Sequence, residues 1–334
     1  MNERASDVVT TAYNLLLDRD PEPAGLKHWS SALESGMPRA EFVRAILASA
    51  EFRAHMTKAD ALTNYEGVDV IVPIGEYQFR LPAADLSVVP QLLAHRCWEP
   101  HVMAFLTRTL QPDSVFVDVG ANLGYFTVLC ARMAGRVVAF EPGPAIRAYC
   151  ARNVELNELT NVELHPYALW HEDTTLRFKI DSSCLGSSAV VVSGDEALEE
   201  VRAATLDGLV RRGCVHLPRL DVLKMDIEGA EMSALRGMRD TLVRCRPGII
   251  MEVNRPALAS LDTSLDEVWA FLKGLEYDIR AFEHWSEREP IRMSSLDDLK
   301  TACPPDSLID IVAEPRAPAA RPARDRAEIL SVLS

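Results

Sequence analysis

Cysteine pairs, spaced histidine pairs, long apolar runs and a surplus of basic charge are all missing from this 334-residue chain. Its seven cysteines, Cys97, Cys130, Cys150, Cys184, Cys214, Cys245 and Cys303, are scattered, odd in number and never in C-x-x-C, which argues against structural zinc and a disulfide framework. None of the eight histidines repeats at H-x-x-x-H spacing, so no transition-metal site is indicated. No stretch reaches the roughly 18 apolar residues of a membrane span. The mixed-charge start Met1-Asn2-Glu3-Arg4 does not read as a signal peptide, and the expected location is the reducing cytoplasm. With 35 basic against 49 acidic residues, the net charge of −14 disfavours nucleic acid, whose binding relies on Lys and Arg replacing counterions. There is no internal repeat.

What is present is a chain that is 48% hydrophobic, enough for a sizeable core. Residues 1–60 read as a small helical accessory domain. Val8, Ala12, Leu15 and Leu16 fall at helical spacing before the break at Asp20-Pro21-Glu22-Pro23, and helices are expected over Ala24–Ser35 and Pro38–Ala50. Asp18-x-Asp20-x-Glu22 looks like the start of a calcium loop, but Pro23 and Trp29 occupy the glycine and chelating positions; helix capping by the acids fits better. Residues 61–316 read as a catalytic domain, and 317–334 as a Pro/Ala/Arg-rich tail. A hairpin is expected across Val68–Leu81. From Ser114 strands and helices alternate, with strands at Val115–Val119, Arg136–Phe140, Val162–Leu169, Leu220–Ile227, Gly248–Val253, Asp278–Phe282 and Leu308–Ala313. This predicts an α/β fold, a Rossmann-like, mostly parallel seven-stranded sheet with helices on both faces.

The strongest chemical signal is Asp118-Val119-Gly120-Ala121-Asn122-Leu123-Gly124, a buried strand feeding a glycine turn and a helix. The G-x-G-x-x-G fingerprint of a pyrophosphate site is absent, and Asp118 would repel phosphate but attract an ammonium group. That electrostatic pattern favours S-adenosylmethionine over a nicotinamide dinucleotide. Glu141, 21 residues after Gly120 and followed by Pro142, is placed to receive both ribose hydroxyls. Tyr167 and Ala168, at the end of the third strand, would lie beside the adenine, although core packing explains them equally well.

In order along the chain, Asp118–Gly124, Phe140-Glu141-Pro142, Asn157 before Asn161-Val162, Thr205-Leu206-Asp207, Leu223-Lys224-Met225-Asp226-Ile227-Glu228-Gly229-Ala230-Glu231 and Glu252-Val253 resemble the FkbM-type family of S-adenosylmethionine-dependent methyltransferases. The resemblance runs from Trp98-Glu99-Pro100 to Ala313. It implies methylation of a hydroxyl on a sugar, glycolipid or small natural product. Leu15-Leu16-Leu17-Asp18-Arg19-Asp20-Pro21 with Gly25-Leu26, Trp29 and Ser49-Ala50-Glu51-Phe52 resembles a small helical domain of unknown function found in bacterial surface proteins and beside glycan-modifying enzymes.

Alcohol methylation needs somewhere for the hydroxyl proton to go. Period-two alternation puts Lys224 and Asp226 on one face of a buried strand, where the lysine requires an anionic partner. Asp226, Glu228 and Glu252 are the candidate reaction acids, with Lys224 as partner and His284 as a loop base. A weak magnesium site on those three acids stays open without being indicated. Two other readings are a nicotinamide-dependent oxidoreductase and a non-catalytic S-adenosylmethionine-binding interaction module. The tetrapeptide typical of exocyclic-amine base methylation is replaced here by Asp226-Ile227-Glu228-Gly229.

Overall fold

Val115-Phe116-Val117 and Val137-Val138-Ala139-Phe140 carry no polar side chain, so each needs cover on both faces of a sheet. In the computed structural model, which describes residues 4–17, 19–39, 42, 45, 46, 49, 67–179, 188–190, 199–283 and 288–316, they are two neighbouring inner strands of that sheet. The chain begins with α1 (Ala5–Leu17), α2 (Pro23–Glu34), the hairpin strands β1 (Asp69–Ile74) and β2 (Tyr77–Pro82), then α3 (Val88–His95) and α4 (Pro100–Thr109). Next come β3 (Val115–Val119), α5 (Tyr125–Ala131), β4 (Arg136–Phe140), α6 (Pro144–Leu156), β5 (Val162–His165), β6 (Ala168–Leu169), β7 (Thr174–Lys179), β8 (Ala189–Val190) and β9 (Glu199–Ala204). The remainder is α7 (Leu206–Arg211), β10 (Val222–Met225), α8 (Glu231–Gly237), α9 (Arg239–Cys245), β11 (Gly248–Asn254), α10 (Arg255–Ser260), α11 (Leu265–Gly274), β12 (Tyr277–Ala281), β13 (Ile291–Met293), α12 (Leu296–Ala302) and β14 (Leu308–Pro315).

Two compact units result. The first contains α1, α2 and α3. Helical spacing brings Val9, Ala12, Tyr13 and Leu17 of α1 into one buried cluster with Phe42 and Ile46, and Trp29 of α2 tilts onto Phe42 at 5.3 Å. Glu22 is the N-cap of α2, yet its carboxylate goes to Arg19 at 2.9 Å rather than to a backbone N–H, so the expected acidic cap is not made there. Asp18 and most of the expected third helix lie outside the described residues.

The second unit holds the main sheet, with order β13-β12-β14-β11-β10-β3-β4-β5. β5, β4, β3, β10 and β11 run parallel; β14 is antiparallel to both β11 and β12, and β13 is antiparallel to β12. The expectation of seven strands is therefore corrected to eight in a mixed sheet. The short edge strand β13, whose Ile291 and Arg292 face outward, has too little apolar alternation to be seen in advance. A second correction falls at Val162–Leu169, expected as one strand. Pro166, which has no N–H to give a ladder, separates β5 from β6, and β6 pairs with β9 in a four-stranded sheet of order β6-β9-β7-β8.

One face of the main sheet is a continuous apolar layer. It includes Val117, Val119, Leu223, Met225, Met251, Val253, Ile309 and Ile311, packed against α8, α9 and α11, and each such side chain contributes on the order of 1.5–3 kcal/mol. The opposite face carries Asp118, Lys224, Asp226, Glu252 and Asp310, so one residue of period separates core from chemistry. Strand order reverses between β3 and β10, and ligands of open α/β sheets bind beyond the strand ends at such a point. Two asparagines brace this end. Asn153 accepts from Arg80 N–H (2.7 Å) and donates to the Leu123 carbonyl (2.8 Å), and Asn157 pairs with both backbone groups of Gln78.

Candidate active site

β3 ends in Gly120 with φ +83°, a left-handed conformation, and a Cβ there would stand 2.0 Å from the Asp226 carbonyl oxygen. Only glycine lets the turn after β3 lie against the loop after β10. Asp226 N–H donates to the Val119 carbonyl (3.1 Å), while Gly120 and Ala121 N–H both donate to Phe140 (3.0 Å each), which ties three strand ends together. Asn122 follows at φ +48° and Gly124 at φ +89°.

Glu141 closes this turn from the side. It is buried; its Oε2 accepts from Asn122 N–H (3.0 Å) and its Oε1 from Gly143 N–H (2.9 Å). Burial pushes its carboxyl up to about 7, against the pull of those N–H groups and of Arg147. Pro142 offers its carbonyl to Arg147 at 2.8 Å.

Asp118 is 1% exposed. Thr127 of α5 donates to its Oδ2 at 2.6 Å, and Oδ1 has no hydrogen-bond partner among the described residues. Burial raises its carboxyl above the usual range, opposed by Lys224 and Thr127. Its neighbour in register is Lys224, also buried. The Lys224 ammonium reaches Asp226 at 3.3 Å and sits 4.5 Å over the Phe126 ring. Burial alone would lower the ammonium; Asp226, Glu99 and Asp118 outweigh it and the group stays charged.

Beyond Lys224 the acids converge. Asp226, Glu228 and Glu252 each present an oxygen within 4.8 Å of the others, a spacing a divalent cation could span, with no metal assigned to it. Burial, then Asp226 and Glu231, lifts Glu228 to about 8. Burial together with Asp226, Asp310, Glu228 and Glu99 carries Glu252 well above the ordinary carboxylate range. Glu228 holds φ +52°, steadied by Asn254, whose amide donates to it at 3.4 Å. Glu231 fixes the loop itself, accepting from Ile227 and Gly229 N–H at 3.1 and 3.3 Å.

The fold thus joins Asp118, Gly120, Ala121, Asn122, Gly124, Glu141, Lys224, Asp226, Glu228 and Glu252 at one end of the sheet. Tyr167 lies under the Arg202 guanidinium at 4.8 Å and Ala168 pairs with Ala203, so protein packing accounts for both. His284 lies outside the described residues. Sequence reasoning missed Thr127, Glu99, His101 and Asp310. A signal existed for Glu99, since a proline at the first helical position marks it as the residue before α4. Thr205 and Asp207 turn out to be caps: Thr205 accepts from Gly208 N–H, and Asp207 from Asp240 and Thr241.

A Rossmann-like sheet with a glycine turn lacking the dinucleotide fingerprint, an acid after its second parallel strand and a carboxylate cluster at the ends of its fourth and fifth is the arrangement of the methyltransferase class. The description "Methyltransferase FkbM domain" matches residues 118–279, and the chain belongs to the FkbM methyltransferase family. A domain of unknown function, DUF4214, matches residues 2–56. "Methyltransferase 1" of Beauveria bassiana is 32% identical over 184 residues, 48% of this chain and 70% of the relative. "Hexuronic acid methyltransferase AglP" of Haloferax volcanii is 28% identical over 144 residues, 43% of this chain and 58% of that protein's length. A crystal structure of methyltransferase FkbM from Methylobacillus flagellatus superposes with TM-score 0.40 and 13% identity, covering 91% of this chain and 58% of the other. No helix among the described residues is long and apolar enough to cross a membrane.

Proposed function

We propose that this protein moves the methyl group of S-adenosylmethionine onto a hydroxyl oxygen of a sugar, glycolipid or small natural product. One observation carries the reading: Asp226, Glu228 and Glu252 converge within 4.8 Å beside the Gly120 turn, where a reacting hydroxyl would need to lose its proton. The AglP relative, by its name a hexuronic acid methyltransferase, supports a carbohydrate acceptor.

The residues present suit the cofactor. The buried Asp118 Oδ1 is an acceptor awaiting a donor, as the ammonium group of the cofactor is. Each Glu141 oxygen takes one backbone N–H and keeps a lone pair for a ribose hydroxyl. Bound S-adenosylmethionine supplies an electrophilic methyl on a sulfonium. The chain would do the rest: Gly120 and Asp226 hold the two sides of the cleft in register, and the acid cluster would orient the hydroxyl and take its proton. An acid shifted toward neutrality by burial is a base of suitable strength for this task.

Calorimetry with S-adenosylhomocysteine, followed by labelled S-adenosylmethionine in an extract of the producing cell and mass spectrometry of the labelled product, tests the proposal. Binding with incorporation that Asp226→Ala abolishes is expected. Absence of any S-adenosylhomocysteine binding would sink it.

A further inference from the structure

Beside the acid cluster, at the ends of β11, β12 and β14, lies a cleft of about 910 Å³ that the family match at 118–279 reaches only through one wall. Asn254, Phe282, Ile291, Ser307, Leu308 and Asp310 are among its lining. Two observations show that it is built rather than incidental. Ile291 and Leu308, 51% and 41% exposed, are large apolar side chains left at its rim with no core to serve. Inside, Asp310 is held by a buried partner from another element: His101 Nε2 of α4 donates to Asp310 Oδ2 at 2.7 Å, and the Phe282 ring packs edge-on against the imidazole at 5.0 Å.

Two of its lining residues adjoin the acid cluster. Asp310 stands directly opposite Glu252 in the β11–β14 ladder, and Asn254, which lines the cleft, donates to Glu228. Its chemistry is apolar walls set with hydroxyl-binding groups. Among the described residues no Lys or Arg lines it, while Glu283, Asp306 and Asp310 do; Arg288 meets Glu283 from the solvent side at 3.4 Å.

We infer that this cleft receives the methyl acceptor as an uncharged sugar ring, with Asp310 binding a ring hydroxyl and His101 acting as its positioning residue. C–H faces of the ring lie on Phe282, Ile291 and Leu308, and the hydroxyls donate to carboxylates; a uronate would place its charge against Asp306 and Asp310. The inference rests on the reading of Asp226, Glu228 and Glu252 as the reaction centre. It departs from the hexuronic acid named for the AglP relative.

The test uses the full chain and a panel of methyl hexopyranosides (gluco, galacto, manno, fuco and rhamno) beside the corresponding methyl hexuronides. Binding is read by saturation-transfer NMR with S-adenosylhomocysteine present, and transfer is read with labelled S-adenosylmethionine. At least one neutral glycoside should bind and be methylated, with uronides at least about tenfold weaker, as expected for a carboxylate placed against Asp306 and Asp310 in a cleft lined by no Lys or Arg among the described residues. Asp310→Asn should weaken glycoside binding about tenfold, the worth of a hydrogen bond to a charged group, with S-adenosylhomocysteine affinity unchanged. His101→Gln, which keeps an N–H donor, should bind like the native protein, and His101→Phe like Asp310→Asn. Ile291→Ala, at an exposed rim position that leaves folding intact, should weaken binding about fivefold. S-adenosylhomocysteine binding with no neutral glycoside bound, with uronides preferred, or with Asp310→Asn and Ile291→Ala both at native affinity overturns the inference and leaves the methyltransferase proposal standing. Failure to bind S-adenosylhomocysteine overturns both.

Discussion

The Lys224 ammonium lies 3.3 Å from the Asp226 carboxylate, inside the sheet and at the junction of the glycine turn and the acid cluster. Through its register with Asp118 it faces the proposed cofactor side, and through Asp226 the proposed reaction side. Its charge offsets the buried carboxylates on both.

Lys224→Met should therefore destabilise the protein strongly, because it leaves Asp118, Asp226 and Glu99 without their shared cation. A loss of about 3–5 kcal/mol in urea unfolding is expected from breaking a buried ion pair on one side. Native-like stability would show that the three acids are protonated without it.

Gly120→Ala should be more damaging than any other small substitution in the turn. The new methyl group would meet the Asp226 backbone carbonyl oxygen at 2.0 Å, at φ +83°. At least about 2 kcal/mol of stability should be lost, together with S-adenosylhomocysteine binding, as measured by thermal shift and calorimetry.

Glu228 titrates in the folded state at about 8 against an ordinary 4.5, so the folded protein holds this proton more tightly than the unfolded chain does. Its contribution to stability is present in full below pH 4.5 and is lost as pH rises through about 8. The melting temperature of the ligand-free protein should fall across that window, less so in Glu228→Gln. If Glu228 takes the hydroxyl proton, the transfer rate rises over the same window, and its inflection disappears in the variant.

Thr127→Val removes the hydroxyl that donates to Asp118 at 2.6 Å while keeping the side chain's shape. The carboxylate then loses the Thr127 hydroxyl donor, and about 1–3 kcal/mol of stability with it. S-adenosylhomocysteine affinity should fall in parallel, since Asp118 is no longer held toward the turn; unchanged affinity would remove Asp118 from the cofactor site.

The sequence by itself determined the strands of the main sheet other than β13, because their apolar runs or alternations stand out, and the glycine turn, because Gly120 and Glu141 stand at the spacing of a strand–turn–helix–strand unit. It also marked Lys224 and Asp226 as partners, since they alternate on one strand. Pro166 was there to be read as a break, but where β6 goes after it depends on β9, whose Glu199-Glu200-Val201-Arg202 has no clear period. Only the tertiary structure brought His101 to Asp310, 209 positions apart, and set Asp310 opposite Glu252. Local pattern records which face of its own strand or helix a side chain occupies. Which distant carboxylate that face meets is decided by strand order and register, and those are fixed by packing of the whole sheet.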